Sequence, residues 1–232
     1  MSTSSTSGIV LAAGRSTRMG GGPNKQFIEL SGQPLIWYSL TAFEHCPAVT
    51  EIIIVSRPDS MAEARRIAGT FKKIKTIVEG GVERQNSVWN GLEKVTGEIV
   101  AVHDGARPLV TPALIEATIA SARQHGTGIA ATKVVDTIKE ATPDKTVTRT
   151  VDRTKLWAVQ TPQTVRTDLL RQAYAKVLRQ GIIVTDEAAA VELLGQPVHL
   201  VETPFFNLKV TTPADLVTVA ALLQARRHPT AG

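Results

Sequence analysis

The feature that most constrains the fold is an alternation repeated along most of the chain: a short continuous apolar run, then a stretch with helical periodicity. GIVLAA (8–13) precedes a helical pattern near 35–46, and EIIIVS (51–56) precedes one near 59–71. KTIVE (75–79) leads to a pattern near 85–96, EIVAVH (98–103) to one near 112–125, and GIAATKVV (128–135) follows. Strands that are apolar throughout are those buried on both faces, as in a mainly parallel sheet with helices on each side. The pattern therefore predicts an α/β protein. Its 232 residues, 43% of them hydrophobic, suffice for one substantial core. We expect a single domain over 8–226, with short tails at 1–7 and 227–232.

One segment breaks the rhythm. Residues 136–160 carry β-branched side chains, a Thr142-Pro143-Asp144-Lys145 turn and no helical period, which predicts a hairpin projecting from the sheet. A lone hairpin needs a surface to pack on, and a second copy of the chain is one candidate. Helix starts are marked by Thr111-Pro112, by Thr212-Pro213 with Asp215, and by Thr185 ahead of Asp186 and Glu187.

The first apolar run enters a loop with three consecutive glycines, Pro23 and the cations Arg15, Arg18 and Lys25. Glycines let backbone N–H groups approach a ligand closely, and cations beside them neutralise an anion. A strand feeding such a loop is how α/β proteins commonly build a phosphate site, so the expected ligand is a polyphosphate. Later turns add to it. Gly80 and Gly81 permit a sharp turn before a helix, and Ser87 offers a hydroxyl to a base or sugar. HDGARP (103–108) ends a strand where open α/β sheets bind ligands. There Asp104 suits a metal or a ribose hydroxyl and Arg107 a second phosphate, unless the two form a structural ion pair. His103 reads as a hydrogen-bonded histidine near the core, and Lys209 as a strand-end cation whose interest lies in the company of the others.

The formal charge of +5 is scattered and aromatic residues make up only 4%, which argues against a nucleic-acid surface. No run approaches the roughly 18 apolar residues of a membrane span, and MSTSSTS lacks the basic start of a signal peptide, so a cytoplasmic protein is expected. The single cysteine, Cys46, lies in an apolar-periodic stretch and reads as a buried small residue.

Taken together, AAG-x3-RM…KQ (12–26), GG-x-ER-x2-SV (80–88), HD-x-ARP (103–108), DT (136–137), TVDR (150–153), LW-x2-QTPQ (156–163), TDEA (185–188) and N-x-KVT-x-P-x-DL (207–216) resemble the 2-C-methyl-D-erythritol 4-phosphate cytidylyltransferase family. The likeness spans nearly the whole chain. The first loop is shared by many nucleotidyltransferases; TVDR, QTPQ and TDEA narrow it.

That resemblance implies a Rossmann-like three-layer αβα nucleotidyltransferase fold whose hairpin is a dimerisation arm. It implies CMP transfer from CTP to methylerythritol phosphate with Mg²⁺, in a homodimer with shared sites. Arg18, Lys25, Lys209 and Arg153 are then the expected catalytic residues. The nucleotide would lie against Ala12, Ala13, Gly14, Gly81, Ser87, Asp104 and Lys209. Asp104, Gly105, Arg107, Thr137, Thr161 and Lys209 fall to the polyol phosphate, with Arg153 reaching the neighbouring subunit's substrate. Mg²⁺ is expected mainly on the CTP phosphates, with Asp104 its one candidate protein ligand. Ribitol-5-phosphate cytidylyltransferase shares the CTP half, and a silent nucleotide-binding regulator would show a broken cation set, which this chain does not. Three positions depart from the family pattern: Ser16 for the usual Gly, an inserted Asn24 before Lys25, and Val82 for an acidic residue. They predict altered mobility of the first loop and an unchanged reaction.

Overall fold

The computed structural model describes residues 5–14, 24–203 and 206–227. Strand β1 (Thr6–Ala12) is followed by a small β2–β3 hairpin (Glu29–Leu30, Gln33–Pro34) and helix α1 (Leu35–His45). Then come β4 (Val49–Ser56), α2 (Met61–Ala68), β5 (Ile74–Glu79), α3 (Arg84–Leu92), β6 (Ile99–Asp104) and α4 (Pro112–His125). The second half runs β7 (Thr127–Lys133), β8 (Ile138–Ala141), β9 (Val147–Val151), β10 (Trp157–Arg166), α5 (Thr167–Gln180), α6 (Glu187–Glu192), β11 (Leu200–Glu202) and α7 (Pro213–Arg227).

Seven strands form one sheet in the order β11-β7-β10-β6-β1-β4-β5. All neighbours are parallel except β10, which runs antiparallel to both β6 and β7. Alternate residues of the central strands face opposite layers. Ile9, Leu11, Ile53, Val55, Val100 and Val102 pack with α3, α5 and α6 side chains such as Leu92, Tyr174 and Val191. Val10, Ile52, Ile54 and Ala101 pack instead against Leu40 and Phe43 of α1, Ile67 of α2 and Ile115 of α4. The three-layer α/β expectation is met, with α7 adding a small third cluster through Val219 against Leu35 and Leu109.

The helix signals act locally as read at 111 and 215. Thr111 Oγ1 accepts from Leu114 N at 3.2 Å, with Pro112 in the first turn. Helix α4 ends at Gly126, whose φ of 86° a side chain would oppose. Asp215 accepts from the backbone N–H groups of Thr211 and Thr212. At the third start the cap is Asp186, not Thr185: Asp186 Oδ1 accepts from Ala189 N at 2.9 Å.

Further expectations are corrected. Thr6 and Ser7, expected in the N-terminal tail, belong to β1: both are buried, and the Ser7 hydroxyl binds Glu51. The projecting hairpin is β8–β9 alone, exposed along most of its length and closed by an Arg149–Glu140 ion pair. Residues 157–160, expected in the arm, belong to β10, where Trp157, Ala158 and Val159 pair with β7. Lys209 sits on no strand. Its segment has no regular secondary structure and is pinned by a bond from Val210 N to Ala106 O. Cys46 is buried as expected, and burial pushes its thiol up.

Candidate active site

Strand order reverses around β1: the chain leaves it for β4 and β5 on one side, then returns to β6 on the other. Open α/β sheets bind ligands at such a switch point, beyond the carboxyl ends of the strands. Leu11 and Asp104 are register partners at the ends of β1 and β6, so the loops that follow share one mouth. A cavity of about 300 Å³ opens there, lined by Ala13, Gly14, Lys25, Gly81, Ser87 and Asp104, among others. A Cβ on Gly80 would stand 2.3 Å from Ala13 Cβ, so the second glycine turn can close on the first loop only without a side chain. Ser87 Oγ, buried, accepts from Gly81 N at 3.0 Å and so braces that turn. Val82 lies on the same wall, mostly exposed.

The residues that bracket the first loop are firmly held. Asn24, the inserted residue, is buried, and its Nδ2 donates to Ala12 O at 2.8 Å and to Ser60 Oγ at 3.3 Å. Next to it, Lys25 Nζ donates to Val210 O at 2.8 Å, joining the first loop to the segment that carries Lys209. The Asn24 departure is therefore an anchor. Arg15, Ser16, Arg18 and the three glycines lie outside the described residues.

A second cavity of about 180 Å³ adjoins the first, lined by Arg107, Thr161 and Gln163 with Thr185 and Asp186. Arg107 donates through Nη to Asn207 O at 2.7 Å, while its buried Nε has no hydrogen-bond partner among the described residues. An unsatisfied buried guanidinium N–H is costly unless a ligand oxygen meets it. Arg84, Asp104 and Lys209 stand on the walls of both cavities.

Asp104 is the hub. Lys209 Nζ lies 2.6 Å from its carboxylate, Arg84 Nη 3.5 Å and Arg107 Nε 4.0 Å. Burial alone would raise this carboxyl, but Arg84, Lys209 and Arg107 outweigh it and hold it well below the usual carboxylate range. So the Asp104–Arg107 pair exists, as one contact of a larger cluster. Because Arg84 also pairs with the buried carboxylate of Glu187, three cations face two carboxylates, and the junction keeps a positive excess of one, suited to phosphate.

His103 is fully buried. Its Nε2 lies 3.2 Å from Arg107 O, and its Nδ1 lies 3.0 Å from Thr161 Oγ1, which also accepts from Asp104 N at 3.1 Å. With Arg107 O as acceptor, the proton belongs on Nε2 and the Thr161 hydroxyl donates to Nδ1. Burial, aided by Arg107 and Lys209, lowers the imidazole to about 3. A base depressed in the folded state stabilises fully above its unfolded value of about 6.5 and loses that contribution as pH falls toward 3. We expect unfolding free energy to drop by up to about 1.4 kcal/mol per pH unit in that window. Urea melts at pH 7 and 4.5 will show this slope in the native protein and a flatter one in His103→Asn; equal slopes would exclude titration of His103 from acid unfolding.

Not every expected residue reaches a cavity wall. Ala12 stands behind the first, meeting Asn24 through its carbonyl, and Gly105 is packed with its N–H on Leu11 O at 2.9 Å. Thr137 and Arg153 are exposed and line neither cavity, Arg153 lying just beyond the arm. Arg84 figures in the sequence reading only as a letter of a motif, Glu187 as a motif letter and a residue of a helix start, and Tyr174 not at all. Arg84 Nη1 and Nη2 grip the two oxygens of buried Glu187 at 2.7 and 3.0 Å, and the Tyr174 hydroxyl donates to Glu187 at 3.0 Å. Only the buried position of a carboxylate would have signalled this, and sequence spacing does not supply it.

A three-layer sheet with a glycine turn and a lysine at its switch point, opening on paired cationic cavities, has the form of a nucleotidyltransferase. Comparison with known proteins gives the particular kind. A model of the 2-C-methyl-D-erythritol 4-phosphate cytidylyltransferase family matches residues 7–225. A protein of that name from Geobacillus kaustophilus is 43% identical over 221 residues, 94% of this chain and 96% of its own length. The crystal structure of 4-diphosphocytidyl-2C-methyl-D-erythritol synthase from Anaerococcus prevotii superposes with a TM-score of 0.85 at 30% identity, covering 96% of this chain and 97% of that one. The Thermus thermophilus cytidylyltransferase structure gives 0.77 at 32%, over 93% and 98%. The chain belongs to the 2-C-methyl-D-erythritol 4-phosphate cytidylyltransferase family and is a nucleotidyltransferase. Among the described residues, no helix is long and apolar enough to cross a membrane.

Proposed function

We propose that this chain transfers CMP from CTP to 2-C-methyl-D-erythritol 4-phosphate. The nucleotide occupies the larger cavity and the polyol phosphate the smaller. A substrate phosphate oxygen attacks the α-phosphorus in line, the bond to the β-phosphate oxygen breaks, and pyrophosphate leaves. The observation that carries this reading is the wall shared by the two cavities, because the reacting phosphates must meet where their sites join.

The chemistry asks for little beyond placement and charge. A phosphate monoester has its second pKa near 6, so the nucleophile is largely ionised at neutral pH and needs no general base. That agrees with a neutral, walled-in His103. Lys25, with Arg18 from the family pattern, would stabilise charge on the α-phosphate and the departing pyrophosphate. Lys209 and Arg107 would hold the attacking phosphate, oriented by Asp104.

Nucleotidyltransferases of this kind generally use a divalent metal. Among the described residues no three His, Cys, Asp or Glu side chains gather as a cage, and Asp104 already faces three cations. These residues do not fit a protein-held ion, and Mg²⁺ would have to arrive on the triphosphate.

We read the exposed arm and Arg153 as contributions to a homodimer with shared sites. The arm leaves unpaired strand edges and exposed Val147, while Val135 near its base is 78% exposed. Pyrophosphate release from CTP, measured side by side with methylerythritol phosphate and ribitol 5-phosphate, tests the substrate. Turnover should favour the former strongly; equal or reversed rates would move the assignment to the ribitol enzyme.

A further inference from the structure

Of the three side chains on both cavity walls, Arg84 has no part in the reaction described above. We propose that Arg84 is a further phosphate-contacting residue at the junction of the cavities, positioned there by the buried carboxylate of Glu187. The inference rests on reading those cavities as the CTP and polyol-phosphate sites.

Glu187 on α6 is fully buried, and its two oxygens engage Nη1 and Nη2 of Arg84, which opens α3. The Tyr174 hydroxyl, on α5, donates to the same carboxylate, and burial followed by that neighbouring charge raises the phenol well above its ordinary value. Three elements thus fix one guanidinium. Arg84 then reaches Asp104 at 3.5 Å, and Asp104 in turn holds Lys209 at 2.6 Å. Glu187 and Asp104 occupy three of the five N–H groups of the fork. The side chain is 28% exposed and lines both cavities, which leaves its remaining two N–H groups for phosphoryl oxygens at the junction.

Stability alone is a weak reason for such a pair, because buried ion pairs seldom outperform apolar residues of similar volume. A fixed guanidinium at the reacting centre is a stronger one. It costs no reorganisation when charge moves from nucleophile to leaving group.

The test compares Glu187→Gln, Tyr174→Phe and the double variant Arg84→Met/Glu187→Gln by kcat, KM for each substrate, and melting temperature. Arg84→Ala alone is unsuitable, since it strands a buried carboxylate and can unfold the protein. The double variant carries no unpaired charge and should stay folded, with kcat about 100-fold or more below wild type. Glu187→Gln should lose about tenfold or more in kcat with a smaller change in KM for CTP, and Tyr174→Phe a few-fold. A structural pair predicts the opposite, that any variant which folds turns over normally. Wild-type kcat in folded Glu187→Gln or in the folded double variant would overturn the proposal. Wild-type protein that releases no pyrophosphate would overturn the assigned function, and this inference with it.

Discussion

Lys25→Met should lower kcat for pyrophosphate release by about 10²–10³-fold, the usual cost of removing one preorganised donor to developing charge. Lys25 is only 8% exposed, on the wall of the larger cavity, and its Nζ is 2.8 Å from Val210 O. Burial makes its charge stronger toward a bound phosphate, because less water screens it. Methionine keeps the length and apolar bulk of the side chain, so packing is largely conserved while the charge goes. The lost bond to the Val210 carbonyl should cost about 1 kcal/mol, or roughly 2–4 °C in melting temperature for a chain of this size. Lys209→Ala should show a comparable kcat loss with a raised KM for the polyol phosphate, because Lys209 belongs to both cavities. Turnover by Lys25→Met within tenfold of wild type would sink its assignment to the triphosphate.

Much of this architecture is legible in the residues, for a physical reason. Ile52, Ile53 and Ile54 can be apolar in succession only where both faces of a strand are covered, and all three are fully buried. Thr111 and Pro112 act within one helical turn, so their meaning is local and survives in the fold. Where the reading fails, the deciding contact is distant or shared between similar neighbours. Thr185 and Asp186 are adjacent and both can cap; the carboxylate was the one aimed at Ala189. Residues 157–160 look like arm strand because they continue a run with no helical period, yet Trp157, Ala158 and Val159 pair with β7, more than twenty positions earlier. The Arg84–Glu187 pair joins residues 103 positions apart, and no period or motif spacing predicts which arginine meets which acid. The cation set at strand ends and loops was legible as a phosphate site; the carboxylate that organises it was legible only as an open choice between metal, ribose and ion pair.

Arg153→Ala should inactivate the enzyme by at least about 100-fold while leaving its melting temperature nearly unchanged, since exposed side chains away from such features contribute within about 0.5 kcal/mol. Arg153 is exposed and lines neither cavity of its own chain; its guanidinium donates to Val135 O near the base of the arm. If the arm crosses a twofold axis, each site takes its body from one subunit and Arg153 from the other. Mixing Arg153→Ala with Lys25→Met subunits then separates the two possibilities. In the mixed dimer, one site combines an intact Lys25 with the partner's intact arginine, and the other site carries both lesions. Random exchange makes half the dimers mixed, and one good site in each restores about a quarter of wild-type activity. Were Arg153 to serve its own chain, every site in the mixture would carry one lesion and nothing would be restored. The assay must follow exchange by mass or tag recovery, so that unmixed homodimers are not mistaken for a negative result. Full exchange without recovered turnover would place Arg153 outside a shared site and leave the arm with an assembly role alone.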